Sequence, residues 1–144
     1  MKNLLFLFSI WFTNTSFCQN HQPVIVRYNK FADYFDKYLF EGIDYTSIER
    51  KYKEQVALVG VNESTKLIEL DEARKAEISI VRARSWNSAK ESRRQGLAKL
   101  QAIQGSQKLA DDEIWRIVDT FYHKNIPELS SNYLSIVKAN IKGN

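Results

Sequence analysis

The chain has 144 residues, with 21 lysines and arginines against 17 aspartates and glutamates, and a single cysteine. The net charge of +4 is too small to argue for or against a nucleic-acid partner. One cysteine excludes an intramolecular disulfide framework, so we expect the fold to be stabilised by packing alone.

The first eighteen residues have the layout of a secretory signal peptide. A short positive start precedes an almost wholly apolar run over residues 4–12, which is followed by polar and mostly small residues. This run is far shorter than the roughly 20 residues of a transmembrane helix, so we expect a segment that is removed. Ser16 and Cys18 suit cleavage before Gln19, which predicts a secreted or periplasmic protein. In the alternative, Cys18 carries a lipid anchor, although Phe17 departs from the small residue of lipoprotein signals.

Removal of residues 1–18 leaves about 126 residues, which is one domain by length. Residues 19–28 contain Pro23 and a β-branched run and predict an extended lead-in; residues 29–144 predict a single helical domain. Five glycines and two prolines in the whole chain, together with helical spacing of apolar residues, indicate an all-α fold. We expect a bundle-like domain of four to five helices that includes one long helix.

The spacing predicts a first helix over residues 29–40 with an aromatic core stripe of Phe31, Tyr34, Phe35, Tyr38 and Leu39. Thr46 and Glu49 form a capping-box pattern that predicts the start of a second helix, which ends at Gly60. The third element runs from Asn62 or Ser64 to about Gln104. As a single helix it would be roughly 60 Å long, and Gly96 leaves open whether it is one helix or two.

Residues 104–107 predict a linker, and a further helix is expected to begin near Ala110 with three acidic residues in its first turn. A last helix is expected to begin at Asn125, which would cap it, with Pro127 in the first turn.

One constellation suggests a binding surface, in the second half of the long element. Eight basic residues and only two acidic ones lie between Arg74 and Lys99, with Trp86 among them. Arginine grips carboxylate or phosphate through two hydrogen bonds, so an exposed strip could bind an anionic or protein partner. The candidates are lipid phosphates, a polyanionic glycan or an acidic protein patch; export argues against nucleic acid as a partner. The predicted binding residues are Arg82, Arg84, Trp86, Lys90, Arg93 and Arg94.

The alternative interpretation of the same residues is a solvated helix face. Acidic residues open this element and basic residues follow, which is the order that the helix dipole favours. If the strip binds a partner, reversing the charge of Arg93 and Arg94 should weaken capture of that partner and leave helicity and melting unchanged.

The sequence offers little for catalysis. Asp119 and His123 stand four residues apart and could form an orienting pair, but no nucleophile pattern accompanies them. Two histidines without metal-ligand spacing predict no metal site, and no cofactor motif is present. We therefore expect an exported, non-enzymatic binding or assembly module. The alternatives are a small hydrolase of cell-wall or glycan material, and a self-associating structural or holdase-like protein.

Overall fold

The computed structural model describes residues 22–143, and this part of the chain is an all-α bundle. Its helices are α1 (Val24–Lys37), α2 (Leu39–Gly42), α3 (Thr46–Ala57), α4 (Ser64–Ala102), α5 (Asp111–Asn125) and α6 (Tyr133–Lys142), with a short 3₁₀ helix at Ser106–Lys108. The predicted all-α fold with one long helix is therefore confirmed. The predicted signal peptide, with Cys18, lies outside the described residues.

Helix α1 begins five residues earlier than predicted. The extended lead-in over residues 19–28 is wrong from Val24 onwards, because Val24 opens the helix directly after Pro23. Val24 and Tyr28 are 2% and 0% exposed, and they extend the buried stripe of Phe31 and Phe35 by two turns. Burial on the helical face thus outweighs the extended preference of the β-branched run.

The aromatic stripe of α1 forms the centre of the core, as predicted. Phe31 stacks on Trp115 of α5 with ring centroids 4.1 Å apart, and Phe35 meets Tyr122 and Tyr133 edge-on at 4.9 and 5.0 Å. Aromatic pairs of this geometry contribute about 0.5–1.5 kcal/mol beyond the area that they bury. Ring packing therefore joins α1 to both α5 and α6.

The start of α3 differs from the predicted capping box. Tyr45, and not Thr46, occupies the N-cap position, and the box is not formed. The Asp44 carboxylate accepts a hydrogen bond from the Thr46 amide at 2.9 Å, and Glu49 turns away to pair with Arg74 of α4. The side chain that caps the start of α3 is therefore Asp44, two residues before the predicted Thr46.

Helix α4 is a single helix of 39 residues, which corresponds to about 58 Å. Gly96 does not break this helix. The glycine lies where α4 packs against α1. A Cβ at this position would lie 2.2 Å from the hydroxyl oxygen of Tyr28, which donates a hydrogen bond to the Arg93 carbonyl at 2.8 Å. The absent side chain at Gly96 is what allows Tyr28 of α1 to approach α4.

The predicted last helix is wrong in its start. Asn125 is the final residue of α5, and its side chain donates back to the Phe121 carbonyl at 3.0 Å. Residues 126–132 instead form a connection that buries Ile126 and Leu129, and Leu129 pairs with Ile43 in an isolated β-bridge. Burial of these two side chains, together with the backbone hydrogen bonds that residues 128–130 form with residues 42–44, explains why α6 begins only at Tyr133.

Helix α4 is covered unevenly along its length. Its buried residues all lie between Val81 and Leu100, where α1 and α5 pack on it. The preceding residues 64–80 pack against α3, so α3 and this part of α4 form an antiparallel two-helix arm. Within residues 22–143, no helix combines the length and the apolar character that crossing a membrane requires.

Candidate functional site

Three of the predicted binding arginines form ion pairs within the chain. Arg84 pairs with Glu128 from the α5–α6 connection, and Arg94 pairs with Glu91 one turn earlier on α4, with an N–O distance of 2.6 Å. Arg93 reaches Asp33 and Asp36 of α1, at 2.6 and 3.2 Å. Much of the positive charge that the sequence concentrates on α4 is therefore neutralised by carboxylates, several of them from other elements.

Arg93 belongs to a polar cluster between α1, α4 and α5. Asp36 accepts hydrogen bonds from both Arg93 and the hydroxyl of Tyr122, the latter at 2.5 Å. Burial raises the pKa of Tyr28 to about 12, although the nearby Arg93 guanidinium opposes this shift. Burial likewise raises the pKa of Tyr122, and so does the Asp36 carboxylate. These contacts place Arg93 within the fold. We therefore expect reversal of its charge to lower the melting temperature, whereas the sequence alone predicted no change in melting.

The remaining predicted residues, Arg82, Trp86 and Lys90, follow one another at four-residue intervals on the exposed surface of α4. Trp86 and Phe40 of α2 are each 42% exposed, and their ring centroids lie 6.3 Å apart. The Arg82 guanidinium carbon lies 5.4 Å from the Phe40 ring centroid and 5.7 Å from that of Tyr45. Phe40, Tyr45, Arg82 and Trp86 are called the aromatic–arginine patch below.

The patch orients the Arg82 side chain without neutralising its positive charge. Its Nε donates to the Tyr45 hydroxyl at 3.1 Å, and the rings of Phe40 and Tyr45 flank the guanidinium. Among the described residues, no carboxylate forms an ion pair with Arg82 or with Lys90, one turn beyond Trp86. The terminal nitrogens of Arg82 therefore remain available for two parallel hydrogen bonds to a planar anion.

Phe40 and Tyr45 were not among the residues predicted from sequence. Both precede Arg82 by more than 35 residues, and Phe40 occupied the end of a predicted core helix. The break in the helix at Tyr38, which separates α1 from α2, turns Phe40 towards Trp86. No local pattern in the sequence predicts the helix break at Tyr38.

The Asp119–His123 pair forms, but both ring nitrogens of the histidine are occupied. Nδ1 lies 3.1 Å from the Asp119 carbonyl oxygen and 3.1 Å from a carboxylate oxygen of the same residue, while Nε2 lies 2.9 Å from the Ser130 carbonyl oxygen. Burial raises the pKa of Asp119, and the neighbouring His123 opposes the shift. The imidazole thus ties α5 to the α5–α6 connection, and this geometry leaves neither nitrogen directed at a substrate.

An open depression at the start of α3 carries several carboxylates, including Asp44, Glu49 and Glu54. A hydrogen bond from Thr46 lowers the pKa of Asp44, and Glu49 is paired with Arg74. General-acid catalysis by a glycosidase needs a carboxyl group with a raised pKa, so these contacts do not favour the hydrolase alternative. Over the described part of the chain, no group of three or more metal-ligating side chains is assembled.

Comparisons with protein-family models, with curated proteins and with solved structures find no match to this chain. The assignment of the candidate site therefore rests on the geometry of its residues.

Proposed function

We propose that this protein is an exported, non-enzymatic helical binding module of the cell envelope or extracellular space, and that the aromatic–arginine patch is its contact surface. The partner is a protein segment that presents an apolar side chain beside a carboxylate. Export is inferred from the signal-like layout of residues 1–18.

The observation that carries the proposal is the exposure of Trp86 and Phe40 beside Arg82, which has no carboxylate partner within residues 22–143. Tryptophan and arginine dominate the energetic centres of protein interfaces, and both occur here on one continuous surface. Arg82 is already oriented by Tyr45 and flanked by two rings, so little side-chain entropy is lost when it binds. The paired Arg84, Arg93 and Arg94 contribute less, because their charges are already satisfied.

The proposal is tested by affinity capture from the native envelope with the mature protein, followed by titration of the captured partner. Trp86→Ala and Arg82→Gln are each expected to raise the dissociation constant at least 30-fold, which corresponds to about 2 kcal/mol at an interface centre. Lys108→Gln, an exposed cation in the 3₁₀ helix, serves as the matched control and should bind like the wild type. A partner that binds both patch variants with unchanged affinity would contradict the proposal.

A further inference from the structure

The outward face of α4 has opposite charges at its two ends. Glu69 and Glu72 lie on this face towards the N-terminus, Lys90 and Arg94 lie on it towards the C-terminus, and Ile80 lies between them. All five side chains are exposed, and Ile80 is 64% exposed. At 3.6 residues per turn, the five positions fall within an arc of about 80° around the helix axis, so they lie on one side of the helix.

This arrangement is complementary to itself when the helix is turned end for end. Glu69 precedes the point between Ser79 and Ile80 by as many residues as Lys90 follows it. Ala76 and Ala83 are related by the same midpoint. A two-fold axis through this midpoint brings each Glu69 next to Lys90 of a second copy. Within one helix, Glu69 and Lys90 are about 32 Å apart. A parallel pairing would instead oppose like charges.

Of the charges on this face, Arg94 pairs with Glu91 of its own helix, and the others form no ion pair among the described residues. On the side of α4 that faces α3, Asp71 and Glu77 form ion pairs with Arg74, Lys75 and Lys51. Glu69, Glu72 and Lys90, in contrast, form no ion pair within residues 22–143. Charges left unpaired at matching positions on an open helix face can be paired by another molecule of the same chain.

We propose that the outward face of α4 pairs with the same face of a second copy in an antiparallel, two-fold symmetric dimer. Ile80 and its counterpart pack near the axis, and the acidic end of each helix lies beside the basic end of the other. Neighbouring Ala76 and Ala83 allow the two helices to approach closely. The contact is a closed, isologous one, so it produces dimers and not filaments.

Sedimentation of the mature protein over a concentration series, extending into the millimolar range, tests the dimer. Lys90→Glu should raise the dimer dissociation constant about tenfold, because two symmetry-related attractions become repulsions. Adding Glu69→Lys and Glu72→Lys to that variant should restore the wild-type dissociation constant. Lys30→Glu on α1 makes the same charge change at an exposed position outside this face and should have no effect.

Cysteine cross-linking tests the orientation, because the predicted mature chain has no cysteine of its own. A mixture of Ala76→Cys and Ala83→Cys variants should form disulfide-linked dimers more readily than either variant alone, since a disulfide needs Cα atoms within about 7 Å. A protein that stays monomeric throughout, a charge swap that fails to restore the dimer, or preferential linkage of identical positions would each overturn the inference.

The dimer and the proposed partner contact are separable. Trp86→Ala is expected to leave dimer dissociation unchanged while it impairs capture of the partner. Loss of dimerisation in that variant would instead assign the aromatic–arginine patch to the dimer and contradict an independent face.

Discussion

Arg93→Met is predicted to destabilise the fold by about 2 kcal/mol. The substitution keeps much of the apolar stem but removes the guanidinium that pairs with Asp33 and Asp36. Asp36 then keeps only one of its two side-chain partners, the hydroxyl of Tyr122. The carboxylate is left partly desolvated without its cation.

The magnitude follows from the exposure of the three side chains. Arg93 is 31% exposed, Asp36 is 23% exposed and Asp33 is 65% exposed. Fully exposed ion pairs contribute about 0.2–1 kcal/mol, and breaking a buried pair costs about 3–5 kcal/mol, so a partly screened network lies near 2 kcal/mol. For a domain of this size that corresponds to a decrease in Tm of about 8 °C.

The assay is thermal and urea unfolding followed by circular dichroism. Arg94→Met is the matched control, because Arg94 pairs with Glu91 on the same helix and is largely exposed. Its Tm should stay close to that of the wild type. Equal melting of Arg93→Met and the wild type, or equal loss in both variants, would refute the assignment of Arg93 to the fold.

Two further predictions concern the contact between α1 and α4. Gly96→Ala should lower the free energy of unfolding, measured by urea titration, by about 1–3 kcal/mol despite the better helix propensity of alanine, because the new methyl group collides with the Tyr28 hydroxyl. Adding Tyr28→Phe should recover part of the loss, and a stabilised Gly96→Ala would contradict this packing. The free energy of unfolding should fall as the pH rises from 10 towards 12. The folded-state pKa of Tyr28 is raised to about 12, so its contribution to stability is fully present below pH 10 and is lost as the pH approaches 12. The urea midpoint, followed by circular dichroism, should therefore decrease over this range; titration of all tyrosines near pH 10 with an unchanged urea midpoint would contradict it.

The parts of the fold that follow from periodicity could be predicted from sequence. The stripe of Phe31, Phe35 and Leu39 is buried as expected, and the long element is helical throughout. The start of α1 could not be predicted, because Val24 and its neighbours favour an extended strand locally and become helical only through burial. Gly96 likewise shows its role only once Tyr28 is positioned beside it.

The candidate site could be predicted only in part. Sequence spacing groups Arg82, Trp86 and Lys90, since residues four apart on a helix lie side by side. It does not distinguish Arg82 from Arg93, because the carboxylates that pair with Arg93 come from α1, about 60 residues earlier. Phe40 and Tyr45 are brought to the site by the helix break at Tyr38 and by the connection between α2 and α3, both of which depend on tertiary packing.

Site-specific photo-crosslinking in the producing cell tests the proposed function most directly. A photoreactive benzoylphenylalanine in place of Phe40 lies in the aromatic–arginine patch, whereas the same residue in place of Lys108 lies in the exposed 3₁₀ helix outside the patch. The proposal predicts a discrete adduct with a partner protein from position 40, none from position 108, and loss of the adduct when Arg82→Gln is added. Adducts of equal yield from both positions, or an adduct from position 40 that persists in Arg82→Gln, would contradict it.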